Sequence, residues 1–235
     1  MVDNRLLKLM SPGLYRKLEP HLTQVALKQG AILNRPGEVV KTVYFPTSCL
    51  LSITLTTVEG TTAEVGLVGK FGMLGINACM GYRTATQTEY VVQIPGSAIS
   101  LEADLLRQEF QTSAELRDIT LCYAQAFIAQ LSQTTACNRL HSLEQRFARW
   151  LLEAQSRIES KQLSLTHSFI ADMLGVRRAG VTQAAQKLQE RGIIQYRYGN
   201  LQILDLAGLE LVACECFHVV ETERERLFEI LKTSL

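Results

Sequence analysis

The sequence predicts an α+β chain in three parts: an N-terminal β-roll over residues 1–112, a long connecting helix over 113–140 and a C-terminal winged helix-turn-helix over 141–235. Three observations carry this. Short runs with period-two alternation fill the first hundred residues. A stripe of apolar residues at helical spacing runs from Ser113 to Leu131. Two helical patterns joined at Gly175 are followed by a β-rich hairpin.

The first part begins with a short helical lead-in over 5–19, interrupted by Ser11-Pro12-Gly13. Val25 and Leu27 then alternate with polar neighbours, as do Val43 and Phe45, and Leu51, Ile53 and Leu55. Val65 and Leu67, the run 91–94 and the run 98–101 continue the series. Turn residues separate the runs at 35–38, Glu59-Gly60, 69–72 and Pro95-Gly96. Many short strands at regular spacing make a small sandwich or roll. In the second part Leu116, Tyr123, Phe127 and Leu131 recur at intervals of four or seven, broadened by Ile119 and Ala126. A helix this long and apolar packs on its own sheet or pairs with a second copy, and the pairing is favoured.

In the third part Thr166 is placed to cap a helix, since its hydroxyl can accept from an orphan N–H one turn on. Phe169, Ile170, Met173 and Leu174 give that helix one apolar face. Gly175 turns the chain where a positive φ is cheap. Arg178 to Arg191 resumes the helix, with Val181, Ala184, Ala185 and Leu188 inward and Arg178, Gln183 and Lys187 outward; Gly192 ends it. Two β-rich runs follow, hinged about Gly199-Asn200. This ordered combination sets one helix in the major groove of DNA.

Composition bounds the alternatives. Over 235 residues the chain is 47% hydrophobic and 20% charged, with a net charge of +1. That describes a globular protein rather than a basic coat for nucleic acid. Between Ser164 and Leu206 there are five cations and three anions, a modest local excess suited to specific binding. The start has no secretory pattern and no run approaches a membrane span. Six cysteines without C-x-x-C spacing argue against a disulfide framework and point to a reducing cytoplasm. Enzyme signatures are lacking: there is no G-x-S-x-G, P-loop, H-E-x-x-H or dinucleotide fingerprint, and Glu64 and Glu89 read as isolated surface carboxylates.

The order roll, long helix, winged helix-turn-helix resembles the Crp/Fnr family of bacterial transcription regulators. The stretch 136–152, Leu165-Thr166-His167, the run 173–178 and the run 91–96 carry the resemblance. It implies a cyclic-nucleotide-binding-like β-roll, a long dimerisation helix with Leu116, Tyr123, Phe127 and Leu131 in its seam, and a homodimer that reads a near-palindromic operator. RNA polymerase is an implied partner, and a small effector a further one. Arg178 matches the family arginine that reads guanine. Ala179 stands where a glutamate is common, and Gln183 where an arginine is, so the operator should differ from that of the cyclic-AMP receptor. Arg177 is expected on phosphate. Thr166, His167 and Ser168 match backbone-binding positions, and Thr182, Lys187 and Arg197 complete the expected DNA surface. Gly180 is costly inside a helix, which close approach to DNA or simple tolerance would explain.

The sensory half departs from the family. Ile76 stands where the ribose-binding glutamate belongs, the phosphate arginine falls near Thr88, and Glu89 beside it repels phosphate. The effector is therefore not expected to be cyclic AMP. If one binds, Gly75, Asn77, Arg83, Thr84 and Tyr123 are the expected contacts. No cofactor is required. Cys137 and His141 share a helix face, and Cys214, Cys216 and His218 lie close in sequence, but two ligands make an incomplete metal site. The cysteines are read as buried and inert, with no metal, and His141 as support for a hinge. The alternatives are a redox- or metal-sensing regulator, and a protein-interaction module that binds no operator.

Overall fold

The computed structural model describes residues 3–80 and 85–234. Two short helices open the chain, α1 (Arg5–Leu9) and α2 (Pro12–Leu18). Asn4 caps α1 and Ser11 caps α2, and Pro12 sits at the first helical position where its missing N–H costs nothing. Strands β1 (Thr23–Leu27), β2 (Ile32–Asn34), β3 (Thr42–Pro46), β4 (Leu50–Thr56), β5 (Thr62–Val68), β6 (Glu89–Ile94) and β7 (Gly96–Glu102) build the roll. They pair antiparallel in two sheets, β1-β7-β3 and β2-β6-β4-β5. The short β2 has no clear alternation, which is why the sequence does not reveal it.

Helix α3 (Ala103–Thr112) leads into α4 (Ala114–Leu140), which Ser113 caps. The winged unit comprises α5 (Leu143–Ile158), β8 (Gln162–Ser164), α6 (His167–Leu174), α7 (Arg178–Glu190), β9 (Ile194–Arg197), β10 (Asn200–Ile203) and α8 (Leu206–Val212). Ser142 and Gln145 form a reciprocal capping box at the start of α5. A final helix, α9 (Cys216–Ser234), follows. It turns back along α4: Gln133 meets Cys216 near one end, and the Cys122 thiol donates to the Leu227 carbonyl near the other. Phe228 and Leu231 enter the core of the roll, and Arg5 forms a two-pronged ion pair with Glu225. The C-terminal end of α9 thus packs on the sensory side, while Phe217 at its start packs on the winged unit.

Two large apolar cores and a small cluster of Cys137, Cys214 and Cys216 hold the described residues. The first lies inside the roll and under α4. The second fills the winged unit around Phe147, Leu151, Ile170, Val181 and Leu188, and it takes in Leu50, Leu67 and Ile94 from the roll. Each such side chain contributes roughly 1.5–3 kcal/mol on burial. The roll and the winged unit are thus seated on each other rather than merely tethered.

The structure corrects two expectations here. The residues expected in a seam between two copies face their own chain. Leu116 and Tyr123 are buried, the Tyr123 hydroxyl donates to the Met73 carbonyl at 3.0 Å, and Phe127 and Leu131 lie against Gly66 of β5. The solvent-facing positions of α4 are instead Ala114, Asp118, Leu121, Gln125, Ile128, Ser132 and Thr135, followed by Asn138, Arg139 and Leu140 at its end. The second correction concerns Glu64, which is not a surface carboxylate. It accepts from Trp150 Nε1 at 3.1 Å and from Ser52 Oγ at 2.5 Å, and so lies between β5 and α5. Burial, only partly offset by those donors, pushes it up to about 7.

Beside Glu64, α5 carries a buried ionic ladder. Arg149 pairs with Glu153 at 2.9 Å and donates to Thr134 on α4 at 2.8 Å, while Arg157 donates to the Glu153 carbonyl at 3.1 Å. Burial pushes the Glu153 carboxyl up, but Arg149 and Arg157 outweigh it and hold the group below its usual range. A buried acid with two cations is satisfied; with either removed it would be a strong liability.

Candidate nucleic-acid interface

The interface is built on α6, α7 and the hairpin β9–β10. The Thr166 hydroxyl accepts from the Phe169 N–H at 3.2 Å and starts α6. Gly175 ends α6 at φ 63°, where its N–H returns to the last turn and the chain is released toward α7. Arg177 is extended at the N-terminus of α7, so Arg178 is the first helical residue. Val181, Ala184, Ala185 and Leu188 face the core; Arg177, Arg178, Ala179, Thr182, Gln183 and Lys187 are exposed. Thr166 and Ser168 are exposed on the adjoining edge, and Arg197 on the wing. The expected DNA-binding residues are thus exposed, except for His167, which is half-buried.

His167 organises that side. Thr182 Oγ1 donates to the Arg178 carbonyl at 3.1 Å and contacts His167 Nδ1 at 3.0 Å. With the hydroxyl proton spent on the carbonyl, Nδ1 carries the ring proton and donates to Thr182. Burial, reinforced by the charge of Arg178, pulls the imidazole below its ordinary range. The ring stacks on Tyr196, whose hydroxyl donates to the Leu165 carbonyl at 2.7 Å. Gln189 of α7 accepts from the Tyr196 N–H at 2.9 Å, so α6, α7 and β9 are locked together.

Three details differ from expectation. The hairpin turns on Tyr198-Gly199, with φ of 50° and 80°, one residue earlier than the sequence indicated. Arg197 pairs with Asn200, which leaves the Tyr198 ring wholly exposed at the tip, a position not singled out in the sequence. An aromatic residue in a wing turn, with nothing to pack on, was the available signal. Lys187 is engaged with Glu144 at 3.3 Å, and Arg191 reaches the same carboxylate at 3.0 Å, so α7 is braced on α5 at that end. Finally, Gly180 lies against the start of α5. A Cβ there would lie 2.8 Å from Leu143 Cδ2, which lets α7 approach α5 closely.

Among the described residues, the expected effector contacts Gly75, Asn77 and Tyr123 are each engaged within the fold. Gly75 is buried at φ 96°, where a Cβ would lie only 3.2 Å from Val40. Asn77 Oδ1 accepts from the Tyr90 hydroxyl at 2.8 Å. Tyr123 lines a small separate cavity of about 30 Å³ with Gly72, Phe127, Gln130, Arg157 and Arg224, and its hydroxyl occupies the space a Cβ on Gly72 would fill. Arg83 and Thr84 lie outside the described residues. The two sets of candidate metal ligands, by contrast, meet: Cys137, His141, Cys214 and Cys216 bring their ligand atoms to one point at the end of α4, while His218 packs edge-on against Phe217.

Residues 145–212 match the model of the Crp-like helix-turn-helix domain. Comparison with curated proteins found no match. Among solved structures, the chain is similar to a transcriptional regulator of the Crp/Fnr family from Eubacterium rectale, with a TM-score of 0.69 and 19% identity over 88% of this chain and 96% of that one. It is similar to FixK2 from Bradyrhizobium japonicum, with a TM-score of 0.69 and 13% identity over 82% and 98%. A Crp/Fnr regulator from Thermus thermophilus gives a TM-score of 0.66 and 23% identity over 81% and 98%. The fold of roll, long helix and winged unit is therefore shared with these regulators, and residues 145–212 carry a Crp-like helix-turn-helix domain.

Proposed function

We propose that the protein is a sequence-specific transcription regulator that binds a near-palindromic operator as a homodimer. The observation that carries this reading is the exposed N-terminal half of α7. Arg178, Ala179, Thr182 and Gln183 project from it, with its backbone locked by His167 and Tyr196. Arg178 reads guanine O6 and N7, and Gln183 suits adenine N6 and N7. Ala179 offers only a methyl contact. Arg177, Ser168, Thr166 and the wing residues Arg197 and Tyr198 hold the phosphate backbone on either side. Lys187 joins them only by leaving Glu144.

The dimer forms through the solvent-facing stripe of α4. Its members follow one another at alternating intervals of four and three, a period of about 3.5, which suits two helices coiled around each other. Leu121 is 50% exposed and Ile128 59%, and they supply its apolar centre. The two recognition helices then reach successive major grooves about one turn apart.

The ligand controlling it is not cyclic AMP, since Ile76 is buried where a ribose-binding acid would stand and Tyr123 fills the space beside Gly72. RNA polymerase is the expected protein partner and the cytoplasm the expected compartment. The structure holds no helix, among the described residues, that is long and apolar enough to cross a membrane. Selection of genomic DNA fragments by the purified protein tests the reading. A two-fold symmetric consensus is expected; absence of any enriched sequence, with and without cell extract as a source of effector, would overturn it.

A further inference from the structure

Where α4 ends, the chain gathers three thiols and an imidazole from two distant segments. Cys137 lies in the last turn of α4 and His141 caps it, while Cys214 and Cys216 bracket the start of α9. The sequence separates these pairs by more than seventy residues, so neither alone makes a site. In the fold their four ligand atoms all lie within 4.8 Å of one another. We infer that Cys137, His141, Cys214 and Cys216 bind one zinc ion in a tetrahedral Cys3His site, and that the ion fixes the joint between α4 and the winged unit.

The dimensions suit a single ion. Zinc–sulfur bonds of about 2.3 Å and zinc–nitrogen bonds of about 2.0 Å place tetrahedral ligand atoms roughly 3.5–3.8 Å apart. Cys137 Sγ and Cys214 Sγ are 3.4 Å apart, and Cys216 Sγ and His141 Nδ1 are 3.5 Å apart. Little adjustment is required. A cluster of two or four irons would hold its ligands farther apart than this. Soft thiolates with one imidazole are the donor set of a closed structural zinc site.

The surroundings are those of a metal site rather than of inert cysteines. His141 turns Nδ1 inward, while Nε2 faces a Glu215 oxygen at 3.3 Å. A carboxylate on the far nitrogen fixes the tautomer and orientation that a histidine ligand needs. The Gln133 amide donates to Cys216 Sγ at 3.0 Å. Three thiolates around one divalent ion leave a single negative charge, and Arg149 lies against Cys137 to meet it. On binding, the three thiols release their protons to solvent.

The position gives the ion its role. Leu143 opens α5 just beyond His141, so the direction in which the winged unit leaves α4 is set at this point. The ion clamps that exit to the start of α9, which is itself anchored on the roll.

The test needs no DNA, so its outcome is independent of the operator reading. Wild-type protein is purified under reducing conditions without chelator, and its metal is counted by mass spectrometry. One zinc per chain is expected. Cobalt exchanged into the site should show intense tetrahedral absorption bands with thiolate charge transfer. Cys214→Ser and Cys216→Ser should lose the ion, Cys122→Ser should keep it, and Glu215→Gln, a change on an exposed side chain, should weaken binding about 10–100-fold. Wild-type protein that retains no zinc after loading, a weak octahedral cobalt spectrum, or full zinc in Cys214→Ser would each overturn the proposal. So would a Cys137–Cys214 disulfide, seen as a loss of two hydrogens in the intact mass. If the cysteine variants fail to fold, the wild-type cobalt spectrum and Glu215→Gln decide.

Discussion

The ring of His167 stacks on that of Tyr196, with centroids 4.1 Å apart and planes 26° from parallel. This contact joins α6 to the wing. On its other edge His167 holds Thr182 on the recognition helix at 3.0 Å. Position and orientation of the DNA-reading surface thus depend on a residue that need not read a base. His167→Ala is expected to weaken DNA binding at least several-fold while the protein remains folded. Tyr196→Phe removes only the bond to the Leu165 carbonyl and should cost about 1 kcal/mol. Thermal unfolding and DNA titration on both variants check this; equal affinity in His167→Ala would refute the bracing role.

Gly180 and Leu143 form a matched pair. Alanine at 180 should improve helix propensity by up to about 1 kcal/mol, yet its Cβ would strike Leu143 at 2.8 Å. Gly180→Ala alone is expected to be neutral or destabilising by about 1 kcal/mol. In a Leu143→Ala background the same change should stabilise. Denaturant unfolding of the four proteins in this cycle gives the coupling, and simple additivity would show that the contact is not what keeps the glycine.

Glu64 makes the junction of roll and winged unit sensitive to pH. Its carboxyl rises from an ordinary 4.5 to about 7 on folding, so the folded state holds the proton more tightly. That stabilisation is complete below about pH 4.5 and disappears as pH rises through about 7. The group should account for a decline of about 3 kcal/mol across that window. Glu64→Gln, which stays uncharged, is expected to remove this share of the pH dependence between pH 5 and 8. Parallel pH profiles for wild type and variant would contradict it.

Two faces of α4 should respond differently to substitution. Leu121→Asp and Ile128→Asp alter exposed residues and are expected to yield folded monomers with weakened operator binding. Phe127→Ala removes a ring packed on Gly66 and should cost about 3 kcal/mol or somewhat less, since the ring is only partly buried, with the oligomeric state kept. Analytical ultracentrifugation distinguishes the outcomes. A dimer that survives Leu121→Asp/Ile128→Asp would place the seam elsewhere.

What was legible in the sequence follows from where the physics is local. Thr166, Gly175 and Gly192 announce the ends of α6 and α7, because caps and positive φ are fixed by the residues beside them. Alternation at Leu51 and Ile53 marks β4 for the same reason. Whether Tyr123 faces its own sheet or a second copy is not local: both surfaces reward an apolar stripe, and only the roll's placement decides. The true outward stripe, Asp118-Leu121-Gln125-Ile128, is half polar and so gives little signal. Likewise, nothing near Cys137 indicates that α9 folds back to bring Cys214 and Cys216 beside it. Glu64 looked like a surface acid because its partner, Trp150, lies on another domain.

The central claim is that Arg178, at the first position of α7, reads a base in each half-site. The most direct measurement is the affinity of wild type and Arg178→Ala for the selected consensus and for variants with each symmetric base pair replaced. Arg178→Ala is expected to lose about 1–3 kcal/mol per half-site and to become indifferent to one base position while still discriminating at the others. If Arg178→Ala binds as tightly and as selectively as wild type, α7 does not read DNA through that residue and the account of the interface fails.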